Sequence, residues 1–373
     1  MVTVRPLTEP RDVARAYRAL LPEVYRGVAG WHAPPMAIHL ARLDPEQEPI
    51  WREAEKELLV AERGGRAVGR LLAFVPPEAA RAPAGARAGR FALFDTIDDD
   101  DVVDALFARA FSWLRARGCA SVEGPFAFSI HDEVGLLVDG FDRPPAFLMP
   151  FNAPHAAGHL LRLGFEQIRT FRSAEWKLRR DRVPVRADRK DLATADLVLR
   201  AFSLARREED TRALVEVYNA AFDASWGFAH LSLGTARVMV EQFLQFGDPR
   251  IVRLAELEGR PVGLAVALPD PHAHLHATRG QPDWLRLARL MLAVKLRRLR
   301  HARLMTLAVL PEHRGKGIAH ALVRDIASAG IPLGYRTAEL SYVDSDNDGM
   351  NGILSGLSLP RTKRYALFRR AFA

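Results

Sequence analysis

Cysteine is almost missing from this chain of 373 residues, which holds Cys119 alone. A single thiol excludes an intramolecular disulfide framework and any cysteine-based metal centre. Long apolar runs are missing too: 49% of the residues are hydrophobic, but no run reaches the roughly 20 residues that cross a bilayer. A strand-like segment starts directly at Val2, with no secretion signal before it. We therefore expect a cytoplasmic protein.

Negative charge is in the minority, since 53 Lys and Arg residues face 45 Asp and Glu residues and the formal net charge is +8. Such a balance suits an anionic small molecule, a nucleic acid or an anionic membrane surface. The sequence contains no zinc-finger spacing, RNP motif or basic heptad region, and we predict no nucleic-acid partner. Its length favours two domains.

The most specific motif is a turn with the pattern Arg-x-x-Gly-x-Ala, from Arg314 to Ala319. It follows an apolar, strand-like run and opens an amphipathic helix. Gly315 and Gly317 let the backbone come close to a ligand because they have no Cβ, and Arg314 and Lys316 add positive charge. The first N–H groups of a helix, with the positive end of its dipole, bind phosphate. The turn therefore predicts a pyrophosphate site, as for a nucleotide-like cofactor.

Two other phosphate motifs do not fit this turn. A P-loop needs a hydroxyl residue directly after its Gly-Lys pair, which this turn lacks, and a dinucleotide fingerprint needs three glycines where the turn has two. The remaining alternative is a plain loop of Gly and Lys between a core strand and a core helix.

The chain contains an internal repeat. Residues 61–73 and 255–267 align without a gap at an offset of 194, and seven of the thirteen positions are identical. Each segment has the pattern of a β-hairpin with glycine at its turn. The offset predicts two copies of one fold, as domains 1–182 and 196–373, with a charged linker over 181–196.

The two copies are not equivalent. Where the second copy has its Gly-rich turn, the first has an acidic run, Asp98–Asp101, before a helix predicted over 102–117. Acidic side chains cap a helix N-terminus well, but they would repel a pyrophosphate. We therefore predict that the first copy binds no such cofactor and serves as an architectural and acceptor-binding partner.

The turn at 314–319 resembles motif A of the GNAT acyltransferases, and the repeated hairpin corresponds to strands two and three of that fold. Segments 124–145, 218–228 and 339–347 are similar to a family of bacterial double-GNAT proteins, the general kind to which bacterial ceramide synthases belong. The resemblance covers essentially the whole chain. It implies an α/β protein of two tandem GNAT folds, each a mixed β-sheet flanked by helices, that N-acylates an amine with acyl-CoA.

The resemblance also implies which residues bind acyl-CoA. The strand residues Leu307, Ala308 and Val309 would bond the pantetheine arm. Asn347 would cap the last helix and contact CoA. The remaining positions form the pyrophosphate loop: Arg314, Gly315, Lys316, Gly317, Ile318 and Ala319.

Catalysis requires a base for the attacking amine and a proton for the departing thiolate. Glu339 is an ionisable residue in a mostly apolar strand, which is costly unless the group is paired or functional, so we predict that it is the base. The alternative is an ion pair with a neighbouring Arg. Many GNAT enzymes carry a Tyr acid where this chain has Leu354, so Tyr342, Tyr365 or water would have to replace it.

The acceptor is less constrained. His131, Glu133 and Trp226 are candidate contacts, although polar residues of this loop type also serve turns and caps. Residues 283–300 predict a basic, apolar helix that lies on an anionic membrane or packs between domains.

The preferred acceptor is a long-chain amine such as a sphingoid base, with peripheral attachment to the inner membrane. A small-molecule or amino-acid N-acetyltransferase and a non-catalytic acyl-CoA or lipid-binding protein are the alternatives. Acyl-CoA is the expected co-substrate, and no metal is expected.

Overall fold

The structure is a computed structural model that describes the chain apart from residues 45, 47–48, 84–85, 127–132, 180–195, 226–227, 229 and 373. The predicted linker therefore lies almost wholly outside the described residues. The chain forms two compact units. The N-terminal unit contains Met1–Phe171, Leu275–Leu287 and Lys363–Ala373, and the C-terminal unit contains Arg172–His274 and Ala288–Thr362.

These units differ from the contiguous domains that the sequence predicts, because two later segments belong to the N-terminal unit. The end of the chain belongs there because its last strand joins that unit's sheet, where Phe368 pairs with Gly124. The segment 275–287 also bonds within that unit, since Arg286 Nη2 donates to the carbonyl oxygen of Ala33 at 2.8 Å.

The N-terminal unit is built on a mixed sheet with the strand order β1-β2-β3-β4-β5-β13, and β6 pairs with β13. Only the β4–β5 pair is parallel among the register pairs described for this unit. The strands are β1 Val2–Pro6, β2 Glu55–Arg63, β3 Arg66–Val75, β4 Arg87–Thr96, β5 Cys119–Gly124, β6 Leu136–Asp139 and, ending the chain, β13 Arg361–Ala371. The helices are α1 Pro10–Val24, α2 Met36–Ala41, α3 Pro77–Ala80, α4 Asp100–Arg115 and α5 Ala156–Arg162, with a 3-10 turn at Pro49–Arg52.

The C-terminal unit repeats this plan with the strand order β7-β12-β11-β10-β9-β8. The strands are β7 Glu166–Lys177, which begins in the N-terminal unit, then β8 Leu197–Ala201, β9 Val252–Leu257, β10 Arg260–Pro269, β11 His301–Val309 and β12 Thr337–Asp344. The helices are α6 Arg207–Phe222, α7 Leu233–Phe246, α8 His272–Ala277, α9 Asp283–Lys295, α10 Ile318–Gly330 and α11 Asp348–Gly356. Short 3-10 turns occupy Leu204–Arg206, Pro249–Ile251 and Pro311–His313.

The repeated segments form equivalent hairpins. Strands β2 and β3 pair antiparallel, as do β9 and β10. Gly65 and Gly259 occupy the two turns with φ of +74° and +75°, a backbone conformation that glycine adopts without a steric penalty. The identical glycines therefore reflect the same local geometry in both copies.

In each unit a long helix packs an apolar face against the sheet. In the N-terminal unit Leu106 and Phe107 of α4 pack with Phe91 of β4, and the two phenyl rings meet edge to face at 5.5 Å. In the C-terminal unit Ile318 and Leu322 of α10 belong to one core with the strands. These apolar residues recur at the helical period, so one face of each helix is covered.

The boundaries of two helices reflect tertiary contacts. Helix α6 begins at Arg207, so Asp210 lies in its first turn, where its carboxylate bonds the guanidinium of Arg200 at 2.8 and 2.9 Å. The helix predicted over 283–300 ends at Lys295. Arg297 there has φ of +51°, and the amide of Arg298 bonds the carbonyl of Ala293 at 2.7 Å, which is the hydrogen bond of a Schellman cap.

Candidate functional site

Strands β11 and β12 separate in the middle of the C-terminal unit's sheet. They run parallel, and their pairing among the described residues covers His301–Leu304 with Thr337–Leu340. Directly after this, β11 carries one extra residue, Met305, opposite β10. Such a bulge breaks the ladder and re-aims the strand. The backbone of residues 305–309 thus faces a gap on its β12 side, where it can bond an extended ligand.

The Gly-rich turn follows directly after this strand. Gly315 and Gly317 have φ of +78° and +81°, so both hold the left-handed conformation that favours glycine. Gly317 is the N-cap of α10, and the cap contributes no side-chain hydrogen bond. The first N–H groups of α10 therefore point out of the helix without a side-chain cap, as a phosphate site requires.

Arg314 acts first as a brace within the protein. Its Nη2 donates to the carbonyl oxygen of Ala221 at 2.6 Å, in the last turn of α6, and its Nε lies 3.4 Å from the carbonyl oxygen of Val309. A cation at a helix C-terminus also interacts favourably with the helix dipole. Lys316 has its ammonium 3.3 Å from Nδ1 of His313. The two basic residues of the loop therefore differ in how firmly the protein holds them.

The other loop residues anchor the turn. Ile318 is buried in the core, and Ala319 packs against the same core. Their side chains hold the start of α10 on the sheet, so only their backbone is available to a ligand.

Asn347 caps the last helix as predicted: its Oδ1 accepts the amide of Met350 at 3.0 Å. Asn351, which the sequence analysis missed, donates from Nδ2 to the carbonyl oxygens of Asp344 and Ser345 at 3.2 and 3.1 Å. It thereby ties the end of β12 to α11. No sequence signal distinguishes it from an ordinary helix residue, since its role depends on where the strand ends.

Glu339 lies half-buried on β12, in register with Arg303 on β11. Arg303 is only 4% exposed, and its Nε and Nη2 donate to Oγ and the carbonyl oxygen of Ser341 at 3.0 and 3.3 Å. The ring centroid of Tyr342 lies 5.6 Å from its guanidinium carbon. Acid, cation and phenol are thus gathered where β11 and β12 separate. Arg303 is not among the site residues predicted from the sequence, although a single Arg in an otherwise apolar strand is a signal that could have identified it.

Neither Leu354 nor Tyr365 supplies a tyrosine acid within the C-terminal unit. Leu354, at the position of the usual Tyr acid, is 7% exposed and packs in the hydrophobic core. Tyr365 belongs to the N-terminal unit and is fully buried there.

The equivalent turn of the N-terminal unit carries its own charges. Asp99 caps α4 by accepting the amide of Val102 at 3.2 Å, and Arg63 binds its carboxylate at 2.7 and 3.0 Å. The hydrogen bond from Arg63 lowers the pKa of Asp99. Asp95 lies directly before Thr96 at the end of β4, and its buried carboxylate lies 2.5 Å from the guanidinium of Arg70. Carboxylates with partners inside the protein therefore line this turn, and their negative charge supports the prediction that it binds no pyrophosphate.

Of the candidate acceptor contacts, His131 and Trp226 lie outside the described residues. Glu133 is described, and its Oε1 accepts a hydrogen bond from Nη1 of Arg42 at 2.7 Å. This ion pair gives the carboxylate a structural partner within the N-terminal unit.

Comparison with known proteins agrees with this geometry. Residues 211–353 match the acetyltransferase (GNAT) family. A bacterial ceramide synthase of Caulobacter vibrioides is 28% identical over 99% of this chain and 97% of its own. Protein YghO of Escherichia coli is also 28% identical, over 98% of this chain and 95% of its own.

Solved structures show the same fold. A tandem GNAT protein from the clavulanic acid biosynthesis pathway superimposes with a TM-score of 0.58 at 16% identity, over 100% of this chain and 98% of that one. A GCN5-related N-acetyltransferase from Sphaerobacter thermophilus gives 0.59 at 15% identity, over 99% and 95%.

The splayed strands, the Gly-rich turn and the matched family define an N-acyltransferase of the GNAT type, a fold that uses acyl-CoA as co-substrate. Residues 211–353 carry the match to the GNAT family, the chain is similar over nearly its whole length to a bacterial ceramide synthase, and the predicted tandem GNAT fold is confirmed. In the described part of the chain, every helix is too short or too polar to span a bilayer.

Proposed function

We propose that the C-terminal unit transfers a long-chain acyl group from CoA to the primary amine of a sphingoid-type base. The observation that carries the acceptor class is the similarity to the bacterial ceramide synthase, which extends over nearly the whole of both chains. Two proteins that act on the same class of acceptor are expected to share their loops and insertions as well as their fold.

The proposed cofactor position uses the gap beside β11 and the turn before α10. Leu307, Ala308 and Val309 bond the pantetheine arm through their backbone. The pyrophosphate sits on the N–H groups of the turn 314–319, and Lys316 supplies charge. Asn347, at the start of α11, contacts the CoA from the β12 side. The N-terminal unit, whose own turn is acidic, takes the architectural and acceptor-binding role.

The proposed reaction is a direct transfer. The amine nitrogen attacks the thioester carbon, a C–N bond forms, and the C–S bond breaks. Glu339 takes one proton from the amine, directly or through water, and Tyr342 or water returns one proton to the CoA thiolate. The buried cation of Arg303 favours negative charge where β11 and β12 separate. Its register with Glu339 also keeps the ion-pair role of that carboxylate open.

Membrane contact is proposed through α9, because the lipid acceptor partitions into bilayers. Trp284, Met291 and Leu292 are 71%, 66% and 55% exposed on this helix, and Arg289 and Lys295 are exposed beside them. A helix with exposed apolar and cationic side chains binds an anionic lipid surface. Arg286 of the same helix is 3% exposed and turned inward, so it does not contribute to this surface. We propose a cytoplasmic, peripheral enzyme.

Substrate profiling tests the acceptor and the donor. Thiol release is measured with acetyl- to palmitoyl-CoA and with amines of graded chain length. We expect turnover to rise with both chain lengths. Turnover with acetyl-CoA alone would favour the small-molecule N-acetyltransferase and would contradict the proposed acceptor, and acyl-CoA binding without turnover would favour a non-catalytic binding protein.

Glu339→Gln tests the base. Loss of general base catalysis should lower kcat by about 10²–10⁴-fold, while the KM for acyl-CoA changes little because the pyrophosphate loop is untouched. Glu258→Gln, at an exposed hairpin turn, is the matched control. Unchanged turnover in Glu339→Gln would leave this residue only its ion-pair role.

Vesicle co-sedimentation tests the membrane surface. The pair Met291→Ser and Leu292→Ser should reduce binding to vesicles of anionic phosphatidylglycerol, and Leu204→Ser, which alters a residue 61% exposed elsewhere, should not. Equal binding of wild type to neutral phosphatidylcholine vesicles, or no effect of the pair, would contradict an anionic docking surface.

A further inference from the structure

Two histidines and a carboxylate of the N-terminal unit converge at the start of α4. One ring nitrogen of His155, one of His159 and a carboxylate oxygen of Asp98 all lie within 4.8 Å of one another. Asp98 precedes α4, and the histidines lie one turn apart at the start of α5. The residues are 57 and 61 positions apart in sequence, so no local motif announces the cluster.

Each histidine is oriented by a second protein group. Nε2 of His155 lies 2.8 Å from the carbonyl oxygen of Thr96, and a carbonyl only accepts, so this nitrogen carries the proton and Nδ1 carries a lone pair. Nδ1 of His159 lies 3.0 Å from Oδ1 of Asp100, and Arg162 binds the same carboxylate oxygen at 2.7 Å. Metal-binding histidines are usually held this way, by a carbonyl or carboxylate on the far nitrogen.

The near nitrogen of His159 is the decisive atom. His159 is 7% exposed, and its Nε2 is buried with no hydrogen-bond partner among the described residues. It nevertheless lies 3.0 Å from Oδ1 of Asp98. With Nδ1 protonated toward Asp100, a neutral ring would turn a lone pair toward a carboxylate oxygen, which is repulsive. A positive charge between these two atoms, either a second ring proton or a metal ion, removes the repulsion, and the approach of His155 as a third ligand favours the metal ion.

We propose that His155 Nδ1, His159 Nε2 and Asp98 bind a divalent transition-metal ion, with zinc as the ion of choice. Two imidazoles and one carboxylate suit zinc, and a three-residue site leaves a further position for water. The side chain of Asp98 is 71% exposed, so the ion has a path from solvent. This departs from the expectation, drawn from the sequence, of a protein without metal.

The site would join the turn before α4 to α5. That turn is the counterpart of the pyrophosphate turn in the C-terminal unit. The metal would therefore stabilise, in the N-terminal unit, the segment that a cofactor contacts in the other copy. This proposed link between the turn and α5 is independent of the proposed acceptor.

Metal binding is measured on the full chain after removal of ions with EDTA. Zn²⁺ is titrated calorimetrically at neutral pH, and the visible absorption of the Co²⁺ form reports the ligand geometry. We expect one ion per chain, a Co²⁺ spectrum of low coordination number, and a higher melting temperature with Zn²⁺ because a ligand bound to the folded state stabilises it. His159→Ala should abolish the binding.

Asp98→Asn provides a second variant, because its exposed side chain can change without loss of the fold. It should weaken Zn²⁺ binding at least about tenfold, the scale of effect seen when groups around a metal are altered. His230→Ala is the matched control, since His230 and Asp223 form an exposed pair at 3.1 Å with no third ligand among the described residues, and it should bind as wild type does. Absence of a stoichiometric ion in wild type, or unchanged binding in both Asp98→Asn and His159→Ala, would overturn the proposal.

Discussion

Replacement of Arg314 by Met separates two roles that a basic residue of a phosphate-binding turn can have. The apolar side chain keeps the length of the stem and removes the donors. The bond to Ala221 at 2.6 Å is charge-assisted, and such bonds contribute about 1.5–3 kcal/mol net. The bond to Val309 at 3.4 Å adds little, because it is long. Because the Arg314 side chain is exposed, solvent weakens this interaction, and we expect a loss of about 1 kcal/mol.

That loss should lower the melting temperature of the ligand-free protein by about 2–4 °C, given about 2–4 °C per kcal/mol for a unit of this size. Lys316→Met is the matched control, because the ammonium of Lys316 has a weaker contact within the loop, 3.3 Å from His313. It should leave the ligand-free melting temperature nearly unchanged.

Calorimetry with CoA completes the comparison. Both variants should bind CoA more weakly, Lys316→Met through lost charge and Arg314→Met through lost charge and a displaced turn. An unchanged ligand-free melting temperature in Arg314→Met would refute the bracing role. Unchanged CoA affinity in both variants would refute the location of the pyrophosphate.

The remaining predictions concern stability. Burial first, and then nearby Arg charges, lower the pKa of His39 well below its ordinary value of 6.5. Below that pH the unfolded chain binds a proton at His39 that the folded chain does not bind. The free energy of unfolding is therefore highest above that pH and falls by about 1.4 kcal/mol per pH unit below it. His39→Gln should flatten this slope in urea unfolding, and equal slopes in the variant and the wild type would contradict the prediction. Gly263→Ala should destabilise the protein, because its Cβ would lie 3.1 Å from the carbonyl oxygen of Ala308. Gly352→Ala, inside α11 with nothing within 4 Å, should stabilise it by about 0.5–1 kcal/mol in the same assay.

The two hairpins and the turn at 314–319 could be predicted from sequence because their geometry depends on neighbouring residues. Positive φ is adopted by the four glycines of these turns, Gly65, Gly259, Gly315 and Gly317. A position that requires positive φ favours glycine, so the requirement is visible in the sequence. The acidic cap of α4 is equally local, since Asp99 bonds the amide three residues on.

Helix ends and side-chain partners were less predictable. Asp210 is of a residue type that often caps helices, yet its carboxylate accepts hydrogen bonds from Arg200 on the preceding strand. Arg286 has the position of a surface cation on an amphipathic helix, yet it binds a carbonyl of residue 33. Charged side chains accept whatever partner the fold brings near, so their roles depend on distant chain segments.

The class of this protein could be predicted from its residues alone: two copies of one fold, with one Gly-rich turn, predicted to bind pyrophosphate, in the second. Tertiary structure alone decided that the last strand belongs to the N-terminal unit, and that Arg303 lies in register with Glu339. It alone brought Asp98 to within reach of His155 and His159. Backbone conformation is a local property and leaves a local pattern, whereas pairing between strands and convergence of side chains depend on how the whole chain packs.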